Sequence, residues 1–212
     1  MLLVIDSATA ACSVALLGAD GAVLDAAHEI VSRGHAERLL PMIETVLAGR
    51  RPDAILVDCG PGSFTGVRVG LAAARGLAIG WGVSVAGYSS MALIAAASGA
   101  ARATVALLGG HGEFFVQDYG GDPIAPLGPL RSLPPDAAAA AFSMPLVLGS
   151  GAKALVEARG DGEWRDTLPR AADAGALPPP LRCLPPKPIY GRGPDAKPVQ
   201  SDAAGGVEGP MT

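Results

Sequence analysis

The chain opens with three short apolar runs: LLVID (Leu2 to Asp6), CSVALLG (Cys12 to Gly18) and AVLDAAHEI (Ala22 to Ile30). The turn Ala19-Asp20-Gly21 separates the last two. Apolar runs of this length, bounded by turn residues, predict a meander of three strands with the second and third joined as a hairpin. HAERLLPMIETVLA (His35 to Ala48) then puts Leu39, Leu40, Ile43, Val46 and Leu47 at helical spacing, and Pro41 is expected to kink or restart that helix. AILVD (Ala54 to Asp58) is continuously apolar up to its last residue, the pattern of a strand buried on both faces. A helix from about Val67 to Ile79, a strand over VSVAGYS (Val83 to Ser89) and a helix over SMALIAAAS (Ser90 to Ser98) follow. Three strands, helix, strand, helix, strand, helix is the order of an α/β mixed sheet covered by helices.

A second and weaker unit begins near Arg102. ATVALLGG and EFFVQDYG read as strands, DAAAAAF (Asp136 to Phe142) as a short helix, PLVLGSGA as a strand and KALVEARG as a helix. This is an abbreviated repeat of the first unit, and it divides the chain into a first lobe over residues 1–101 and a smaller one over 102–198. After Leu177 proline dominates, and residues 199–212 carry little to bury, so a disordered tail is expected there.

With 212 residues, half of them hydrophobic, the chain can fill a sizeable core. Its net charge of −4 argues against holding nucleic acid through a global field, which leaves a local patch or a partner for any such role. Cys12, Cys59 and Cys183 have neither a disulfide nor a zinc spacing, and the reducing cytosol is the default compartment. The apolar start lacks a positive n-region and is interrupted by Asp6, against a signal peptide. The run from Val69 to Ala86 is broken by Arg75 and glycines 70, 76, 80 and 82, and reads as a buried helix and strand rather than a membrane span.

The most distinctive stretch is CGPGSFTGVRVG (Cys59 to Gly70), and its spacing fits neither nucleotide pattern. Val67 and Arg68 follow Gly66 where a phosphate-binding loop needs lysine and a hydroxyl, and Thr65 stands where the dinucleotide fingerprint needs its third glycine. A tight turn at Pro61 and Gly62, with Ser63 or Thr65 capping the helix, accounts for the loop. It does not account for the helix, where Gly66, Gly70, Ala73, Ala74, Gly76 and Ala78 leave little side-chain bulk. Interior glycines cost about 1 kcal/mol each relative to alanine, and close approach of another helix, from this chain or a partner, is the natural compensation.

Other candidate chemistry is sparse. Asp6 ends the first predicted strand, where an acid can bind a metal or orient water beside a phosphate, with Ser7, Thr9 and Ser13 adding hydroxyls. The alternative for Asp6 and Ser7 is a turn held by side-chain to backbone bonds. SATAACS has no glycine to admit a phosphate to the backbone, so Asp6, Ser7 and Thr9 mark at most a vestigial nucleotide site. His35 has Leu39, not a second histidine, four residues on, which excludes a two-histidine metal site and leaves His35 a polar helix-start residue. Glu37 and Glu44 have no converging partners in sequence, Cys59 reads as a core thiol, and no catalytic or metal-binding constellation emerges.

LLVIDSATAACSVALL, HAERLLPMIETVL, CGPGSFTGVRVGLAAARGLAIG, VSVAGYSSMALIA and PKPIYGRGPDAK together resemble the TsaB (YeaZ) family. The resemblance spans nearly all of the first hundred residues and returns near the C-terminus, with GPGSFTGVRVG its most specific run and residues 109–180 poorly matched. It implies an actin-like (ASKHA, ribonuclease H-like) fold of two related lobes. It also implies a non-catalytic accessory subunit in forming the threonylcarbamoyladenosine of tRNA, supporting a TsaD-type catalytic subunit in an assembly joined by a TsaE-type ATPase. In such an assembly ATP and a divalent metal belong to the partner subunits, no cofactor is held strongly by this chain, and the setting is the cytoplasm. The family's dimerising helix carries over to Gly66, Arg68, Val69, Gly70, Ala72, Ala73 and Gly76 as interface candidates, toward the catalytic subunit or in a homodimer. The competing readings are a kinase or metallopeptidase-like enzyme on the same fold, and a homodimeric structural domain unrelated to tRNA.

Overall fold

The structure, a computed structural model, describes residues 1–31 and 33–191. The predicted tail and the part of PKPIYGRGPDAK from position 192 onward lie outside the described residues. Strands β1 (Leu2–Asp6), β2 (Ala11–Leu17) and β3 (Val23–Ile30) form the expected antiparallel meander. Helix α1 (His35–Leu47) leads to β4 (Ala54–Asp58), parallel to β1, and α2 (Phe64–Trp81) leads to β5 (Ser84–Tyr88), parallel to β4. The strand order is β3-β2-β1-β4-β5, and α3 (Ser90–Ala97) follows.

The second sheet repeats this plan with shorter parts. It comprises β6 (Arg102–Leu108), β7 (Phe114–Gly120), β8 (Ala125–Pro126), β9 (Arg131–Leu133), β10 (Leu146–Leu148) and β11 (Glu163–Arg165), with α4 (Pro135–Ala141) before β10 and α5 (Ala152–Arg159) after it. Its order is β11-β10-β6-β7-β8, with β9 also on β7, so β8 and β9 together stand where β3 stands in the first sheet. The expected strand over PLVLGSGA contracts to Leu146–Leu148, because its glycines turn the chain into α5. The short strands β8, β9 and β11 had no sequence expectation.

Alternation along the central strands sorts the core into three layers. Leu3 and Ile5 of β1 face Leu39, Ile43, Val67, Leu71 and Ala74 of α1 and α2. Val4 and Leu56 face the other way, onto α3, Val105 and Tyr119, in a layer shared by both sheets. A third layer packs Ala106, Val116 and Val147 under α4 and α5. Each fully buried Leu, Ile or Val contributes about 1.5–3 kcal/mol, enough to hold α3, which is apolar on every side, between the sheets.

Helix α1 runs unbroken through Pro41, contrary to the expected kink. Pro41 and Glu37, whose carbonyl loses its partner to the missing N–H, both lie on the exposed side. On either side of Leu177, 3-10 turns at Ala171–Ala176 and Pro179–Arg182 bring the chain back to the first sheet. There Gly87 and Leu184 exchange backbone hydrogen bonds of 2.7 and 3.0 Å, and the Ile189 amide donates to the Cys59 carbonyl at 2.8 Å. No described helix is long and apolar enough to cross a membrane.

Candidate functional site

The loop after β4 and the start of α2 are built against the end of β1. Gly60 has φ +90° and donates its amide to Asp58 Oδ1 at 2.8 Å. The Ser63 amide donates to the Ala8 carbonyl at 2.6 Å, and Ser63 Oγ caps the helix by accepting from the Gly66 amide at 3.2 Å. Ser7 Oγ donates to the Gly66 carbonyl at 2.9 Å. A Cβ at Gly62 would collide with the Ala8 carbonyl, one at Gly66 with the Ser7 carbonyl, and one at Gly70 would sit 2.5 Å from Ser7 Oγ. Bare backbone is therefore required here by the fold itself, which presses helix against strand end without room for one methyl group.

The other side of α2 is different. Thr65, Arg68, Ala72, Arg75, Gly76, Ile79 and Gly80 are exposed, and Val69 and Ala73 are half-buried. A Cβ at Gly76 or Gly80 would meet nothing within 4 Å, and Ile79 is 84% exposed. The interface candidates consequently divide. Gly66 and Gly70 point inward and are covered by this chain, whereas Arg68, Val69, Ala72, Ala73 and Gly76 lie along the outward side. Both outward arginines are engaged by the returning segment: Arg68 stacks on Phe64 with its guanidinium carbon 3.4 Å from the ring centroid and donates to Tyr190 Oη at 3.2 Å, and Arg75 donates to the Pro186 carbonyl at 2.6 Å. What remains is a stripe of small and apolar side chains with no acidic residue.

The residues considered for a vestigial nucleotide site are pulled apart. Asp6 is fully buried and takes a hydrogen bond from Tyr88 Oη at 2.8 Å. Asp6 faces into the sheet beside Asp58, an acid with no place among the candidates above, and the Ala8 amide of the following turn also favours the ionised form of Asp6. Ser7 is committed to Gly66, and Thr9 alone borders the cavity of about 580 Å³ between the two sheets, with Arg68, His111, Glu113, Phe115 and Tyr190. Ser13 Oγ accepts from the Ala171 amide at 2.9 Å. His35 is buried with Nε2 2.9 Å from the Thr9 carbonyl, so it ties α1 to the β1–β2 loop, and Leu39 is core. Among the described residues no group of three or more His, Cys, Asp or Glu side chains is placed to hold a metal ion. Burial raises both the Cys12 and Cys59 thiols to about 11.

Two sheets of one repeated 3-2-1-4-5 plan, with crossover helices and a cleft between them, define an actin-like (ASKHA, ribonuclease H-like) protein. Residues 27–123 match the family described as TsaD, tRNA N6-adenosine threonylcarbamoyltransferase. The chain superposes on YeaZ from Pseudomonas aeruginosa with a TM-score of 0.77 and 31% identity, covering 89% of this chain and 98% of that one. A P. aeruginosa protein described by its similarity to the peptidase YEAZ gives the same TM-score at 30% identity, covering 90% and 99%. The chain belongs to the TsaB (YeaZ) family. It is 39% identical over 127 residues to the tRNA threonylcarbamoyladenosine biosynthesis protein TsaB of Escherichia coli K12, covering 56% of this chain and 54% of that protein. With the protein of the same description from Haemophilus influenzae it shares 42% over 104 residues, 46% of this chain and 42% of that one. The chain thus spans about half the length of the curated relatives it matches.

Proposed function

We propose that this chain is a non-catalytic accessory subunit in forming threonylcarbamoyladenosine in tRNA, and that it supports a TsaD-type catalytic subunit by docking through the outward stripe of α2. The observation that carries the reading is the stripe itself. Gly76 and Gly80 weaken the helix by about 1 kcal/mol each relative to alanine, and nothing in the described chain exploits the space they leave. A facing helix packed over Val69, Ala72, Ala73 and Gly76 would use it, since small side chains let two helices approach closely. The names of the relatives support the pathway. The same stripe can serve a homodimer when the catalytic subunit is absent. Nucleotide and metal belong to the TsaD-type and TsaE-type partners, tRNA is reached through the assembly, and the setting is the cytoplasm.

The test is reconstitution of tRNA modification from purified TsaD-type and TsaE-type subunits with and without this chain. Modified adenosine should form only when all are present. Formation at an equal rate without this chain, or brisk metal-dependent ATP hydrolysis by this chain alone, would contradict the reading.

A further inference from the structure

Beneath the Cys59–Ser63 loop lies a buried pair of carboxyls for which the described residues provide no cation. Asp6 and Asp58 end the adjacent parallel strands β1 and β4, next to the register pair Ile5–Val57, and they are 0% and 1% exposed. Asp58 is well supplied with donors: the Gly60 amide at 2.8 Å on Oδ1 and Ser90 Oγ at 2.6 Å on Oδ2. Asp6 has Tyr88 Oη on Oδ2 and the Ala8 amide favouring its ionised form, while its buried Oδ1 meets no hydrogen-bond partner among the described residues. Among the described residues no lysine, arginine or histidine hydrogen-bonds or ion-pairs with either acid. The other titratable groups facing the pair are Tyr88 from β5, Cys12 from β2 and Cys59 from the loop, and all three are neutral thiols or phenol.

Two adjacent carboxylates cannot both stay ionised in such a site, because each would carry its desolvation cost and the other's repulsion with no compensating charge. The distribution of donors decides where the proton sits. Asp58 already accepts two hydrogen bonds suited to a carboxylate, whereas the orphaned oxygen of Asp6 lacks a donor and becomes one when protonated. We infer that Asp6 carries a proton at neutral pH and shares it with Asp58, and that this proton-bridged pair latches the ends of β1 and β4 together under the loop that starts α2. The direction of titration agrees: burial, then the charge of Asp58, hold Asp6 well above the ordinary aspartate range, and burial also raises Asp58.

The latch is sensitive to alkali. Both acids are raised above their unfolded values, so the stability they contribute is fully present below the unfolded pKa near 4 and is lost as pH rises through the folded values. Ionising Asp6 places a second charge against Asp58, and the Gly60 amide and the start of α2 loosen with it.

Infrared spectra of the full chain at neutral pH should show a protonated-carboxyl carbonyl band that disappears in Asp6→Asn. Asparagine mimics the protonated acid by donating to Asp58. The fall in melting temperature between about pH 5 and about pH 9 should therefore shrink by roughly half or more in Asp6→Asn. Asp58→Asn is the second variant and should flatten the profile similarly if Asp6→Asn folds poorly. Absence of the band from the unaltered protein would overturn the inference, and so would an unchanged pH profile in both variants.

Discussion

Helices α2 and α5 occupy equivalent places in the two lobes, each following the parallel strand beside the lobe's first strand, yet they are made for different ends. Helix α2 has 18 residues and α5 has eight, lengths of about 27 and about 12 Å at 1.5 Å per residue. The shorter helix buries Ala152, Leu155 and Val156 and covers its outside with Lys153 and Glu157, as an ordinary surface helix does, while Arg159 folds back onto the Phe142 and Met144 carbonyls. The longer one buries glycines against β1 and turns glycine, alanine and isoleucine outward. The strand ends differ in the same way. Where β1 and β4 finish in Asp6 and Asp58, β6 finishes in Leu108 and Gly149 follows β10. The first lobe therefore holds both the unusual surface and the buried acids, and the second reproduces the topology without either.

The largest expected difference between the lobes is at the glycines that start these helices. Gly66→Ala pushes a methyl group into the Ser7 carbonyl and should cost about 3 kcal/mol or more in urea unfolding. Gly151→Ala meets Phe114 at 3.2 Å and the Ala106 carbonyl at 3.3 Å, and should cost only about 1 kcal/mol. Equal losses would erase the distinction between the two helix starts.

Next comes Ser90→Ala, which strips one donor from buried Asp58 and should cost about 1–3 kcal/mol at neutral pH. Its cost should grow as pH rises through the raised pKa of Asp58, near 6, because the lost bond serves the ionised form. Melting curves across pH check this, and a pH-independent loss would argue that Asp58 does not titrate there. A smaller effect of opposite sign is expected within α2 itself: Gly76→Ala should stabilise by about 0.5–1 kcal/mol, since its methyl group enters open space. The smallest is Lys153→Ala in α5. Its pair with Glu157 is 3.7 Å long with both side chains mostly exposed, and thermal unfolding should register less than about 0.5 kcal/mol.

Much of the first lobe was legible in the sequence because strong local patterns agree with the fold: apolar strands, a helical stripe, and a serine cap before a glycine-bearing helix. The second lobe was legible in order but not in extent. Strands of two or three residues such as Ala125–Pro126 and Glu163–Arg165 carry no periodicity, and pairing with β7 and β10 alone creates them. The division of the glycines in α2 was hidden for another reason: spacing shows which residues share a helix face, but not which face meets β1. The acid pair left a trace, since LLVID and AILVD are similar apolar strands that both end in aspartate. Recognising it required knowing that those two strands are neighbours.

The central claim is that the outward stripe of α2, not the inward glycines, receives the partner, and Ala72→Arg addresses it most directly. Ala72 is exposed, so the fold should tolerate arginine within about 0.5 kcal/mol. The affinity of the folded variant for the TsaD-type subunit, measured by calorimetry beside the unaltered chain, should fall by at least about tenfold, or 1.4 kcal/mol. Equal affinity would contradict the account and move the docking surface elsewhere.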